Sequence, residues 1–169
     1  MQYQPEPMPI ATKVAVGAYI AALNFILLAL LVRCWPVSLT AAPQPGELSP
    51  EGRYLISAAI SGALGSYIHL ATSFVEHAGA NRLVTGWISW YLLRPNIGAA
   101  LAVTVYFVIR AGLVSGIGDN VSSLNPYGVA AIAAMSGMFS RQATTKLREL
   151  FDHFLGLAKR ESIPQGEGQ

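Results

Sequence analysis

The sequence contains little charge and almost no cysteine. Only 12% of its 169 residues are charged, whereas roughly a quarter are charged in an ordinary soluble domain. Cys34 is the single cysteine, so the chain can form neither an internal disulfide nor a cysteine metal cluster. The Lys and Arg residues are scattered and the net charge is only +2, which argues against a nucleic-acid-binding surface.

Catalytic signatures are also missing from the sequence. It has no glycine-rich dinucleotide turn, Walker loop, HExxH helix or nucleophile elbow. His69, Glu76 and His77 lack both the spacing and the further strong ligand that a metal site needs. We therefore predict a protein that is not an enzyme and that holds no cofactor and no metal.

Apolar residues dominate what is present. They make up 53% of the chain, and the mean hydropathy is +0.44. A helix needs about 20 apolar residues to cross a hydrocarbon layer of ~30 Å. We predict an all-α integral membrane protein with four transmembrane helices, a short interfacial or re-entrant helix and a C-terminal amphipathic helix. The predicted spans cover residues 14–33, 54–75, 96–115 and 126–144.

The two ends of the chain differ from its apolar middle. Residues 1–13 contain three prolines, and residues 161–169 contain one proline and two glycines, in neither case with any period. A disordered lead and a disordered tail are therefore expected. The first apolar run, residues 14–32, is longer than the roughly 7–15 residues of a signal-peptide core. A retained span is therefore favoured over a cleaved one.

A short aromatic segment precedes the third span. Residues 83–93 are too few to cross a bilayer, and they include Trp87, Trp90 and Tyr91, residue types that settle at the headgroup level. We predict that this interfacial helix ends at Arg94 and Pro95 and that the third span begins at Asn96.

The basic residues indicate the orientation. With four spans, most of the Lys and Arg fall on one side of the membrane, and cytoplasmic loops carry an excess of these residues. Both termini are therefore predicted to be cytoplasmic in the cell membrane. The basic residues on that side are Lys13, Arg82, Arg94, Arg141, Lys146, Arg148, Lys159 and Arg160, against Arg33 and Arg53 on the other.

Two helices carry faces of small and polar residues. In the third span, four-residue steps place Gly98, Ala102, Tyr106 and Arg110 on one face, which we expect to meet protein or water rather than lipid. In the second span, the small residues at 58, 62 and 66 predict close packing of helix backbones.

Arg110 has two interpretations: an anion-attracting constriction, or a side chain that extends to the headgroups. Its predicted partners are Ser57, Ser61, backbone carbonyls, Asp119 or water, and not the distant Glu76.

A second polar stripe runs along one face of the second span. It is either a hydrated path with His69 as its titratable group, or a set of ordinary interhelical and interfacial contacts. Asn24 lies in the middle of the first span and is expected to hydrogen-bond a neighbouring helix. The candidates for a pore or polar network are Arg110, Tyr106, Ser61, His69, Thr72, Glu76 and Asn24.

The C-terminal segment, residues 145–160, predicts a cytoplasmic amphipathic helix. Its apolar residues recur with a period of about 3.6, and its polar side carries charges of both signs. Mixed charge favours a helix bundle between subunits over a helix lying on lipid. We also predict that this segment continues the fourth span as one rod of about 30 residues, roughly 45 Å long. The candidate oligomerisation residues are Leu147, Leu150, Phe151, Phe154 and Leu155.

Two functions are compatible with these patterns. One is a small homo-oligomeric protein with an ion-conducting or pore-like role, in which the polar faces of helices 2 and 3 line or brace the path. The alternative is a non-conducting anchor or scaffold subunit of a larger membrane complex. The expected partners are the lipid bilayer, further copies of the chain and a membrane protein, but no nucleic acid.

Overall fold

The computed structural model describes residues 7–35, 48–112 and 125–154. Helix accounts for 88% of these residues, and no strand forms among them, which confirms the predicted all-α fold. A 3₁₀ turn, Thr85–Trp87, precedes the third α-helix. The α-helices are α1 (Ile10–Cys34), α2 (Pro50–Gly79), α3 (Ile88–Arg110), α4 (Pro126–Met138) and α5 (Ser140–Phe154).

Three of these segments are long and apolar enough to cross a membrane: Ile10–Cys34, Pro50–Gly79 and Thr85–Arg110. This confirms a membrane protein with transmembrane helices. The fourth predicted span is not among the three, because α4 has only 13 residues and extends about 20 Å at 1.5 Å per residue.

Local sequence explains where two of the helices begin. The Ser49 hydroxyl accepts a hydrogen bond of 3.1 Å from the backbone N–H of Gly52, and Pro50 occupies the first helical position of α2. Asn125 and Pro126 repeat this arrangement at the start of α4, where the Asn125 side chain accepts from the Tyr127 N–H at 3.0 Å. The start of α4 agrees with the predicted span at residue 126, whereas α2 begins four residues before the predicted span at residue 54.

Helix α2 is the centre of the fold, and it packs against α1, α3 and α4. At Gly62, the α2 backbone contacts the backbones of both α3 and α4. A Cβ added at Gly62 would lie 2.5 Å from the Gly98 carbonyl oxygen of α3, and one added at Gly137 of α4 would collide with the Gly62 carbonyl. We call these three residues the glycine contact. It confirms the predicted close packing of α2.

The predicted small-residue stripe of α3 is also buried as expected. Gly98, Ala102 and Tyr106 all face the bundle, and Ala102 and Tyr106 belong to a core cluster with Tyr54 and Val129. Arg110 continues this stripe but is only half-buried at the end of the helix.

The predicted separate interfacial helix is wrong. Pro95 does not end it: α3 continues from Ile88 to Arg110 with Pro95 inside. A proline removes one backbone donor, but membrane helices tolerate this where neighbouring elements hold the turn. Here Tyr91 is fully buried in a cluster with Leu70 of α2 and Ile20 of α1, so tertiary packing outweighs the local preference.

The predicted continuous rod is also interrupted. The chain turns at Phe139, where φ is −102° and ψ is 44°, and α5 begins at Ser140. The Gly137 carbonyl, which a continuous helix would bond to the residue four positions later, instead accepts a hydrogen bond of 3.1 Å from the Ser66 hydroxyl. Close packing at the glycine contact therefore sets the position of the break.

The N-terminal segment that was predicted to be disordered, residues 1–13, is ordered from residue 7 onward. Helix α1 begins at Ile10, and before it Met8 is buried and its N–H donates to the Leu83 carbonyl at 2.9 Å. Residues 1–6, the helix prediction beyond Phe154 and the predicted tail at 161–169 lie outside the described residues.

Candidate functional site

Arg110 forms an ion pair at one end of the bundle. It is the last residue of α3, and its Nη2 lies 2.7 Å from Oε1 of Glu51 in the first turn of α2. The Arg110 side chain is 31% exposed and that of Glu51 is 77% exposed. A cation at a helix C-terminus and an anion at a helix N-terminus each complement the helix dipole.

Sequence reasoning missed Glu51 as the partner because it extended the third span from Asn96 to residue 115, which placed Arg110 inside the helix. Since α3 begins at Ile88, Arg110 lies about 33 Å along it, at its very end. The pattern that could have identified the pair is an acidic first turn on α2 facing the end of an antiparallel α3. Asp119, another predicted partner, lies outside the described residues.

Two further candidates lie within the bundle near this end. Tyr106 is buried, and the Ser61 hydroxyl is buried without a hydrogen-bond partner among the described residues. Ser57, named as a possible partner of Arg110, instead donates to the Cys34 carbonyl of α1 at 3.1 Å. Tyr106 lies within electrostatic range of both Arg110 and Glu51. Ser57 connects α2 to α1, and neither serine hydroxyl bonds to Arg110.

The polar stripe of α2 lies along the outside of the bundle. His69, Thr72 and Glu76 are all exposed. The His69 ring meets Trp90 edge-on at 6.2 Å, and the Thr72 hydroxyl lies 2.9 Å from the Ile68 carbonyl of its own helix. Roughly 27 Å of helix separates His69 from Glu51, so this stripe and Arg110 lie at opposite ends of α2.

Asn24 joins neither group. Its side chain is half-buried on α1, and the hydrogen bonds within the described ranges do not include it. The predicted polar network is thus divided among one ion pair, several packed hydroxyls and an exposed stripe.

Arg94 organises the other end of the bundle, although sequence reasoning used it only for the end of the interfacial helix and for orientation. Arg94 of α3 is half-buried, and its Nη1 donates to the Ser140 hydroxyl of α5 at 2.8 Å. Its guanidinium carbon lies 5.7 Å from the centre of the Trp90 ring, within cation–π range. Arg94 therefore joins α3 to the first turn of α5.

Two open cavities flank His69 at this end. One, of about 350 Å³, is lined by His69, Ser73, Trp87 and Trp90. We call the other, of about 400 Å³, the Arg94 cleft. The residues that line it are Ile68, His69, Thr72, Arg94, Met138, Phe139, Ser140, Arg141 and Gln142. Across the described ranges, His, Cys, Asp and Glu side chains form no group that could hold a metal ion.

The candidate oligomerisation residues lie on α5. Leu150 and Phe151 are 37% and 57% exposed, while Leu147 is half-buried. The Phe154 side chain and Leu155 lie outside the described residues. The apolar side of α5 is therefore largely uncovered by the described part of the protomer.

The chain matches no family model, no curated protein and no solved structure.

Proposed function

We propose that the chain is a homo-oligomeric membrane scaffold, in which the helical bundle sits in the bilayer and α5 gathers copies of the chain. The observation that carries this proposal is the uncovered apolar face of α5. Its described members are Leu147, Leu150 and Phe151. Leu150 and Phe151 are exposed next to each other on α5, and an exposed apolar patch of this kind favours burial against a partner.

The position of α5 supports an assembly role because the start of the helix is held by contacts with the bundle. Ser140 is buried, it receives the hydrogen bond from Arg94, and α5 contacts both α3 and α4. A helix fixed at one end presents its apolar face in a defined direction. This lowers the entropy lost when a partner binds.

The charges of α5 favour a second copy of the same helix as that partner. Lys146 lies 2.6 Å from Glu149, and Arg148 and Asp152 add one further charge of each sign. Opposite charges flanking an apolar stripe allow identical helices to pair through complementary contacts. A helix that binds lipid would be more uniformly basic.

The bundle supplies the membrane part of the proposal. Large apolar side chains point away from the bundle along α1, among them Phe25, Ile26 and Val32, as lipid-facing residues do. Helix α4 and the start of α5 together return the chain to the end at which α3 begins, since Ser140 meets Arg94 there. We propose on this basis a fourth crossing, with both termini on the cytoplasmic side of the cell membrane as the basic residues indicate.

The packing favours a scaffold over an ion path inside one protomer. At the glycine contact the backbones of α2, α3 and α4 fill the space between the three helices. A conduit would then have to lie between subunits. That hypothesis stays a prediction, and ion flux in liposomes that contain the purified assembly is the measurement that checks it.

The oligomer is tested by placing one carboxylate on either side of α5. Phe151→Glu charges the apolar face, whereas Thr145→Glu adds the same charge to the exposed polar side of the same helix. We expect a wild-type mass of several protomers in mild detergent, a monomer mass for Phe151→Glu and an unchanged oligomer for Thr145→Glu. Native mass spectrometry measures all three.

Either of two results would refute the scaffold proposal as stated. A monomeric wild type would mean that the apolar face of α5 binds a different protein. An oligomer that withstands Phe151→Glu would place the subunit contacts elsewhere. Circular dichroism of each variant verifies that the helices remain folded.

A further inference from the structure

We infer that the Arg94 cleft binds a phosphate group, supplied by an anionic lipid headgroup or by free phosphate. The cleft lies between α2, α3 and the first turn of α5, and its volume is about 400 Å³. It is distinct from the apolar face of α5, so its ligand and the oligomer can be tested separately.

Arg94 lacks an anionic partner among the described residues. Its Nε is buried and has no hydrogen-bond partner among the described residues, and no carboxylate in those ranges lies within ion-pair distance of its guanidinium. A half-buried cation without an anion is costly in an apolar setting. The planar guanidinium matches phosphate oxygens through paired N–H donors, so phosphate is a fitting counterion.

The residues around the cleft favour an anion. Arg141 also lines the cleft, and none of the described lining residues is acidic. The cleft also receives the first turn of α5, a 15-residue helix whose leading N–H groups and dipole favour an anion. Ser140 and Gln142 contribute polar side chains on the same turn.

The lining of the cleft also suits the apolar part of a lipid that carries the phosphate. Ile68, Met138 and Phe139 give the cleft apolar walls, and Trp90, which lies against both Arg94 and His69, is exposed. Tryptophan settles at the membrane interface, where lipid phosphates lie. A headgroup phosphate with its first acyl carbons fits this mixed lining, whereas free phosphate would use only the polar half.

The test uses the purified full-length protein, stripped of lipid in detergent. Short-chain phosphatidylglycerol is titrated in one arm and inorganic phosphate in the other. Native mass spectrometry counts bound lipid, and tryptophan fluorescence follows occupancy beside Trp90. The variants are Arg94→Gln, Arg141→Gln and, as a matched control, Arg148→Gln, which removes the same charge from an exposed position of α5 that does not line the cleft.

We expect one ligand per protomer, with affinity reduced about tenfold or more by Arg94→Gln and less strongly by Arg141→Gln, because each loses charge-assisted hydrogen bonds. Arg148→Gln should bind like the wild type. Saturable lipid binding that inorganic phosphate does not displace identifies the headgroup as the ligand, and saturable binding of inorganic phosphate alone identifies the free ion. Equal affinity of wild type and both cleft variants for both ligands, or no binding by the wild type, would overturn the inference. Arg141 is exposed, so its variant stays informative if Arg94→Gln unfolds.

Discussion

Arg110 shows how the position of one residue within a helix changes its role. In the middle of a span, an arginine needs a cavity or a partner inside the membrane. At the end of α3, it meets Glu51, a carboxylate that is itself mostly exposed. Such a pair contributes little to stability, because water competes for both charges.

This gives a prediction at the residue scale. Arg110→Ala, Glu51→Gln and the double variant should show a coupling free energy of at most about 1 kcal/mol in a double-mutant cycle, since exposed pairs typically give less than that. Thermal or denaturant unfolding in detergent measures it. A coupling of several kcal/mol would show that the pair is effectively buried, as expected if lipid or a second subunit covers it.

The residue scale also shows what the sequence could and could not predict about the candidate site. Helical spacing placed Tyr106 correctly on the buried face of α3, because residues four positions apart lie on the same face of a helix and are buried together. Spacing could not pair Arg110 with Glu51 or Arg94 with Ser140. Both contacts join residues far apart in the chain, and their identification requires the correct helix ends.

At the scale of elements, backbone contact between α2 and α4 explains both the tight bundle and the break before α5. Gly137 packs directly on Gly62, and its carbonyl bonds to Ser66 instead of continuing the helix. Without hydrophobic drive between helices in lipid, such close approaches supply much of the packing energy.

Two glycines of α4 provide a matched test of this explanation. Gly137→Ala would drive a methyl group into the Gly62 carbonyl, whereas a Cβ at Gly128 meets nothing closer than the Asn125 Cβ at 4.0 Å. We expect Gly137→Ala to lower stability by roughly 1–3 kcal/mol, as overpacking does, and Gly128→Ala to leave it unchanged or slightly raised. The unfolding midpoints of the two variants in detergent check this. Equal midpoints would mean that α4 does not rest on α2 through Gly137.

The start of α4 was predicted correctly, because Asn125 and Pro126 supply a local helix-start signal. Ser49 and Pro50 begin α2 in the same way, but the predicted span started only at residue 54. Pro95 and Phe139 behave contrary to local expectation. Packing around Tyr91 lets α3 continue past Pro95. Packing at Gly137 ends α4 although the sequence has no helix-breaking residue there. Propensity is a weak guide wherever tertiary contacts compete with it.

At the scale of the whole molecule, the glycine contact closes the space between α2, α3 and α4, while α5 carries an uncovered apolar face at the other side of the break. A closed bundle joined to an open helix is the arrangement expected of a subunit that assembles through α5. Under the proposed scaffold function, we expect the assembly, and not the single chain, to be the functional unit.

Cross-linking in the native membrane tests this claim most directly. With Cys34→Ser as the background, Leu150→Cys places a thiol on the apolar face of α5 and Thr145→Cys places one on its polar side, both at exposed positions. Mild oxidation should link subunits through residue 150 and leave the residue 145 variant monomeric on a non-reducing gel. Equal cross-linking at the two positions, or none at either, would contradict assembly through α5.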